Sequence, residues 1–315
     1  MRPLLLTLAA LLLASCIPDA RAQGIGGGGL PFGGAGIGGA GTNAGPIALP
    51  SGDAIEFGRT IYGTDYAALP SAPSSGAIVS MWTRILETTP SGYPWARGNM
   101  ETFAIGDGEW YLRCIVGNIG ITDANNATYN ANTMLFAELD GDHSGDWVND
   151  YTYYNGAHTE TEVRGWVWVA WQVVVEASQF RFRQWLKMGA SDDVFAAGDT
   201  TLTFAAVRSV LTGTLGWSAG DATAWTPGPP TWMHVGHDQG PAYLWHVRVD
   251  EGSAEPSLAA LEAISDATAF DSGAWADWPL VWHGGAADID DGSGHARDLT
   301  VQGGGTLYDG IARPF

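Results

Sequence analysis

The chain has 315 residues and carries 34 Asp and Glu against 14 Lys and Arg, which gives a formal net charge of −20 at pH 7. This charge argues against nucleic acid or an anionic membrane surface as a partner, because such partners are bound through clustered basic residues. An acidic surface instead suits a soluble protein, a neutral ligand or a divalent cation.

The chain begins with an apolar run, residues 4–15, that is too short to span a bilayer. It predicts a signal peptide over residues 1–22, cleaved after Ala22 by the small-x-small rule. Residues 13–16 also resemble the lipobox of bacterial lipoproteins, which would make Cys16 a lipid anchor. No later segment is apolar enough to span a membrane, so we expect a secreted or cell-surface protein on the extracellular or periplasmic side.

A glycine-rich stretch without charge, residues 23–48, follows the leader and predicts a flexible tether. The chain has two cysteines, and Cys16 is either removed or lipidated. No disulfide within the mature chain is therefore expected, and Cys114, inside the strand-like run 110–116, is predicted to be a buried thiol. The remaining residues, 49–315, are enough for one large β domain.

From about residue 50 the chain consists of short runs rich in β-branched and aromatic residues, separated by Gly, Pro, Asp, Asn and Ser. Only residues 258–264, after a proline, have a convincing helical pattern. Since strands do not alternate with helices, the pattern predicts an all-β fold, an antiparallel two-sheet sandwich with one short helix. The predicted strands are 54–57, 77–83, 109–116, 133–139, 166–176, 180–188, 231–235 and 242–249.

The order of these segments resembles the concanavalin A-like lectin/glucanase superfamily, in particular bacterial laminin-G-like jelly-roll domains. The resemblance rests on ordered segments, each weak alone: Gly52–Gly58, Gly76–Trp82, Trp166–Ala170, Phe180–Gly189, Thr231–Val249 and the helix Leu258–Ile264. It implies that residues 49–315 form a jelly roll, and that the function is carbohydrate binding or cell adhesion, or cleavage of a polysaccharide.

An acidic loop follows the strand at 133–139. Its oxygen-bearing residues occupy positions 1, 3, 5 and 7, with glycine at position 6, as in the first half of a calcium loop: Asp140, Asp142, Ser144 and Asp146. Tyr151 stands at position 12, where an EF-hand has Glu. A solvated turn explains the loop equally well. A second acidic turn, Asp288, Asp290 and Asp291, is a weaker calcium candidate.

Catalysis would require paired carboxylates, which in laminarinase-type hydrolases of this superfamily lie on one strand as Glu-x-Asp-x-x-Glu. Glu138 begins such a pattern, but the second glutamate is absent. Glu160, Glu162 and Arg164 would share one face of a strand, as in polysaccharide lyases of this fold. These four residues are the catalytic candidates, and enzyme activity remains an alternative to binding.

Fifteen tryptophans are present. Those in strands, such as Trp166, Trp168 and Trp232, are expected to fill the core between the sheets. Those in irregular polar segments are candidate platforms for sugar rings, namely Trp95, Trp147, Trp217, Trp225, Trp275 and Trp278. Trp147 adjoins the acidic loop, so a calcium-assisted glycan site is predicted there.

The favoured interpretation is an exported, noncatalytic carbohydrate-binding or adhesion domain with a glycan or cell-surface polysaccharide as its partner. A glycoside hydrolase or lyase of the same fold is the first alternative. A surface or particle-coat structural protein is the second.

Overall fold

In the computed structural model, the described residues are 53–57, 66–85, 100–123, 126–139, 146–158, 165–237, 242–283 and 286–302. The predicted signal peptide, the tether and Cys16 lie outside them. The helices are α1 (Phe204–Gly213), α2 (Ala219–Ala224) and α3 (Leu258–Ser265). The strands are β1 (Asp53–Phe57), β2 (Tyr66–Leu69), β3 (Ala77–Ile85), β4 (Met100–Gly106), β5 (Trp110–Asp123), β6 (Asn126–Ala137), β7 (Asp146–His158), β8 (Val167–Val175), β9 (Gln179–Lys187), β10 (Phe195–Thr203), β11 (Trp232–His237), β12 (Ala242–Glu251), β13 (Ala276–Trp278), β14 (Val281–His283), β15 (Ala286–Asp288) and β16 (Thr300–Gln302).

The strands form two sheets in which every pairing is antiparallel. One sheet has nine strands in the order β10-β9-β8-β3-β12-β1-β14-β15, with β13 also paired to β12. The other has seven strands in the order β16-β2-β11-β4-β5-β6-β7. The predicted all-β, antiparallel sandwich is confirmed, and each of the eight predicted strands is present.

The main core lies between the two sheets. Phe103 of β4 packs edge-on against Trp171 of β8 with ring centroids 5.3 Å apart, and Trp110 of β5 packs against Phe180 of β9 at 5.0 Å. Burial of one such side chain contributes about 1.5–3 kcal/mol, which is how a sandwich without disulfides is stabilised. Cys114 is buried in this core and forms no disulfide, as predicted.

A second hydrophobic cluster covers the opposite face of the nine-stranded sheet. It contains Trp166, Trp168 and, from α3, Leu261. The prediction that the two tryptophans lie between the sheets is therefore wrong. In β8, Val167 and Val169 point to the main core, so Trp168 points to the other face, as strand alternation requires.

The single predicted helix is confirmed as α3, whereas α1 and α2 were not predicted. In α1, Phe204, Val207 and Leu211 form one buried stripe, and the Thr203 hydroxyl caps the helix by accepting from the amide of Ala206 at 3.1 Å. No helix among the described residues has the length and hydropathy that crossing a membrane would require.

Candidate functional site

Most of the residues predicted for catalysis, calcium binding or glycan binding fall outside the described residues. These are Trp95, Asp140, Asp142, Ser144, Glu160, Glu162 and Arg164. Asp146 and Trp147 are the first two residues of β7. Glu138 directly follows β6 and is only 2% exposed, and its amide donates to the carbonyl of Glu109 at 2.8 Å.

Two tryptophans predicted to be exposed are instead part of the main core. Trp225 and Trp278 are both fully buried. Their indole N–H groups donate to backbone carbonyls, Trp225 to Glu109 at 2.6 Å and Trp278 to Arg297 at 2.6 Å. An indole in an irregular polar segment can be buried when a carbonyl accepts from its N–H group. The prediction that Trp225 is an exposed platform for a sugar ring is therefore wrong. Trp217 is half-buried against the same core.

In the second acidic turn, the Asp291 carboxylate is bonded to groups of the protein itself. The buried Asp291 carboxylate accepts hydrogen bonds from the amides of Asp277, Ser293 and Arg297 and from the Ser293 hydroxyl. Both of its oxygens are thereby used inside the protein. Across the residues that the structure describes, no three His, Cys, Asp or Glu side chains are grouped to hold a metal ion.

A row of aromatic side chains crosses the outer face of the seven-stranded sheet. Trp232 of β11 is paired with Gly106 of β4, Gly106 with Tyr111 of β5, and Tyr111 with Phe136 of β6. Tyr111 and Phe136 stack face to face, with centroids 4.6 Å apart and planes 2° apart. We call Trp232, Tyr111 and Phe136 the aromatic row. Trp147 of β7 is the backbone partner of Phe136, at the end of the row.

The aromatic row faces away from the main core. Its residues alternate along their strands with Met233, Leu112 and Leu135, which belong to the core. Trp232 and Phe136 are half-buried, and Tyr111 is 6% exposed because its neighbours cover it. The prediction that Trp232 fills the core is therefore wrong.

Gly106, which has no side chain, leaves the space that the row needs between Tyr111 and Trp232. A Cβ built there would lie 2.3 Å from the carbonyl oxygen of Trp110 and 2.7 Å from the Cβ of Tyr111. With no side chain at this position, the rings of Tyr111 and Trp232 approach to 6.2 Å between centroids across β4.

We expect Gly106→Ala to lower the free energy of unfolding by about 2–3 kcal/mol, because the new methyl group overlaps backbone atoms that cannot move aside. Gly108→Ala, in the adjacent turn, is the matched control. It meets no atom within 4 Å and should change stability by less than about 0.5 kcal/mol. Urea unfolding of the two variants checks this expectation, and equal effects would contradict it.

Polar groups border the aromatic row. The Arg113 guanidinium lies over Phe136 at 5.2 Å and over Tyr111 at 5.6 Å from the ring centroids. His234 lies beside Trp232, with centroids 4.7 Å apart. The row therefore combines apolar ring surface with a cation and an imidazole, a mixture suited to ligands with both C–H faces and hydroxyl groups.

Asp107, in the turn between β4 and β5, anchors one end of the row. Its carboxylate accepts from the amides of Glu109, Trp110 and Gly228, and its carbonyl accepts from the Trp232 indole at 2.9 Å. Burial raises the pKa of Asp107 above its usual value, against the amide hydrogen bonds, which favour the ionised form. The turn thus fixes both the start of β11 and the orientation of Trp232.

No protein-family model matches the chain, and no curated protein matches it. Among solved structures, one match is an engineered GH43 glycoside hydrolase that displays both endo-xylanase and exo-arabinofuranosidase activity. The match has a TM-score of 0.33 and 7% sequence identity, and it covers 57% of this chain and 30% of that chain. This chain thus spans less than a third of the hydrolase's length, and so distant a likeness carries no inference about activity here.

Proposed function

We propose that the chain is an exported, noncatalytic carbohydrate-binding domain whose glycan site is the aromatic row. The observation that carries the proposal is the register: three aromatic side chains and one glycine occupy directly paired positions on four neighbouring strands. Such an alignment places the half-buried rings of Trp232 and Phe136 in one line, with the covered ring of Tyr111 between them, on the face of a sheet that the core does not use.

Aromatic rings are suited to sugars because the C–H face of a pyranose packs on them while its hydroxyl groups reach polar neighbours. Arg113 can donate to sugar oxygens, and His234 can donate or accept according to its tautomer. The formal charge of −20 is compatible with a neutral polysaccharide and unfavourable for a polyanion.

The length of the row favours a chain segment over a single sugar. From β11 to β6 there are three strand spacings, or about 14 Å at about 4.8 Å each. Trp147 is the next aromatic residue in register, since its backbone is paired with that of Phe136. It also follows Asp146, the last of the four residues of the proposed calcium loop, so calcium could assist binding at this end.

A glycan array with the full mature chain tests the proposal. We expect binding to one class of neutral polysaccharide, and the affinity for the best glycan, measured by titration calorimetry, should fall at least about tenfold in Trp232→Ala, which corresponds to about 1.4 kcal/mol. Phe136→Leu keeps an apolar side chain of similar volume but removes the ring, and it should weaken binding in the same direction. Trp217→Ala, a half-buried tryptophan outside the row, is the matched control and should bind normally.

Further measurements separate the alternatives. Weaker binding after addition of a calcium chelator, together with loss in Trp147→Ala, would support the calcium-assisted end of the site. Release of reducing sugar or of an unsaturated product would overturn the noncatalytic assignment in favour of a hydrolase or lyase. Absence of any glycan binding would overturn the proposal as a whole and favour a structural coat role.

A further inference from the structure

A second surface feature, unrelated to the aromatic row, lies at the end of β12. It is an open cleft of about 270 Å³ between Asp250 and Glu251, residues 273–275, and the turn that carries His295 and Arg297. We call it the C-terminal cleft. The cleft lies beside β12 of the nine-stranded sheet, whereas the aromatic row lies on the seven-stranded sheet.

A forked ion pair holds Asp250, one of the residues that line the cleft. Arg248 donates through Nε and Nη2 to the two carboxylate oxygens of Asp250 at 2.8 and 2.7 Å, and its Nη2 lies 2.8 Å from the Asp271 carboxylate. Asp271 also accepts from the amide of Gly273, and that hydrogen bond, followed by the charge of Arg248, holds its pKa below the usual value. These contacts tie the 271–274 loop to β12, so one wall of the cleft is fixed before any ligand arrives.

The facing wall is built by Arg297 and Trp275. The guanidinium lies over the indole, 4.1 Å from the ring centroid, and donates to the carbonyl of Trp275. The amide of Arg297 donates to Asp291, which fixes the backbone beneath. The guanidinium is therefore held in place with further N–H groups available to a ligand.

Charged donors and acceptors lie side by side around the cleft. The carboxylates of Asp250 and Glu251 line it together with the Arg297 guanidinium, and the adjoining Arg248 is shared between Asp250 and Asp271. The excess of carboxylate charge disfavours an anion as the ligand. Strong acceptors and donors at close quarters suit hydroxyl groups, which both donate and accept.

We propose that the C-terminal cleft binds one neutral sugar unit, with the exposed Glu251 carboxylate accepting from ring hydroxyl groups and Arg297 donating to ring or hydroxyl oxygens. The volume lies just below the range of about 300–1,000 Å³ typical of ligand pockets, which favours one ring over a chain. This site does not depend on the aromatic row and would hold a single unit rather than a chain segment.

The test follows the Trp275 indole N–H signal by NMR in the full mature chain, assigned with Trp275→Phe, during titration with D-glucose, D-galactose, D-mannose and N-acetyl-D-glucosamine. We expect at least one of these sugars to shift the signal with a saturable, millimolar dissociation constant. Glu251→Ala should raise that constant at least about tenfold. Glu255→Ala, which removes an exposed glutamate that does not line the cleft, and Trp232→Ala, in the aromatic row, should leave it within about twofold.

The proposal is overturned if none of the four sugars shifts the signal, or if Glu251→Ala binds as well as the parent chain. It is also overturned if glycine, a zwitterionic probe, shifts the signal and the sugars do not. A failure of glycan binding at the aromatic row would leave these outcomes unchanged, so the two proposals can fail separately.

Discussion

Asp291→Ala is expected to lower the free energy of unfolding by about 4 kcal/mol, one of the largest effects of a single substitution in this chain. The carboxylate accepts from three backbone amides and one hydroxyl, with donor–acceptor distances of 2.6 to 3.1 Å, and is only 9% exposed. Alanine leaves these donors without the acceptor that they share. Urea unfolding at pH 7 measures the loss.

The neighbouring Asp290→Ala is the control. Asp290 is exposed, so its removal should change stability by less than about 0.5 kcal/mol. A loss below about 1 kcal/mol in Asp291→Ala would contradict the role assigned to this carboxylate.

The Asp291 carboxylate should also make the stability of the protein fall at acidic pH. Burial acts to raise the pKa of Asp291, but the hydrogen bonds from the Ser293 hydroxyl and from the amides of Asp277, Arg297 and Ser293 outweigh it and lower the pKa. The contribution of Asp291 to the free energy of unfolding is therefore complete above its unfolded-state pKa of about 3.9. It is lost as the pH falls through the lower pKa that the group has in the folded state. The stability difference between the parent chain and Asp291→Asn should shrink between about pH 5 and pH 2, and a constant difference would contradict the argument.

Glu262→Ala is the second substitution expected to be strongly destabilising, by about 3 kcal/mol. The Glu262 carboxylate bonds to the ammonium group of Lys187, which is 1% exposed, and it accepts from the amide of Val194 at 2.7 Å. Its removal leaves Lys187 buried with Asp266 as its remaining carboxylate, and leaves the amide of Val194 without this acceptor. Thermal or urea unfolding measures the effect.

Lys187→Met provides the informative comparison. It removes the buried cation and leaves an apolar chain of similar length among the tryptophans of the second cluster, so it should cost no more than about 1 kcal/mol. The partly exposed Glu262 can still accept from Val194 and meet water. If Lys187→Met is as destabilising as Glu262→Ala, then loss of the ion pair, rather than burial of a cation with Asp266 alone as its partner, accounts for the effect of Glu262→Ala.

Much of the fold could be predicted from the sequence because strand runs and turn residues are local signals. The longest apolar runs, such as those that became β3, β8 and β12, have clear boundaries. Helix α1 was missed although its signal is local too: Thr203 is an N-cap residue, and Phe204, Val207 and Leu211 have helical spacing. The residues of β10 that directly precede it have a strand-like pattern, so the change from strand to helical spacing at Phe204 was not recognised.

The tryptophans show where local reasoning fails. Trp225 and Trp278 lie in polar surroundings in the sequence, yet both are buried because distant carbonyls accept from their indoles. Trp232 could have been placed correctly, since it alternates with Met233 and Val235, which point into the core. Strand phase is thus a better guide to the direction of an indole than the polarity of its segment.

The aromatic row could not be predicted from the sequence. Its members come from β5, β6 and β11, and their alignment depends on pairing registers that no single segment encodes. Gly106 was the one local hint, since a glycine inside a strand often marks the close approach of a neighbouring group.

The order of the strands in the two sheets also has a kinetic consequence. Strands from the start of the chain pair with strands from its end: β1 with β12 and β14, β2 with β11 and β16, and β3 with β12. Neither sheet can close until the last third of the chain has been synthesised, and such nonlocal pairing makes folding slow. For a protein proposed to leave the cytoplasm, this delay would keep the chain unfolded long enough to be threaded through a secretion channel.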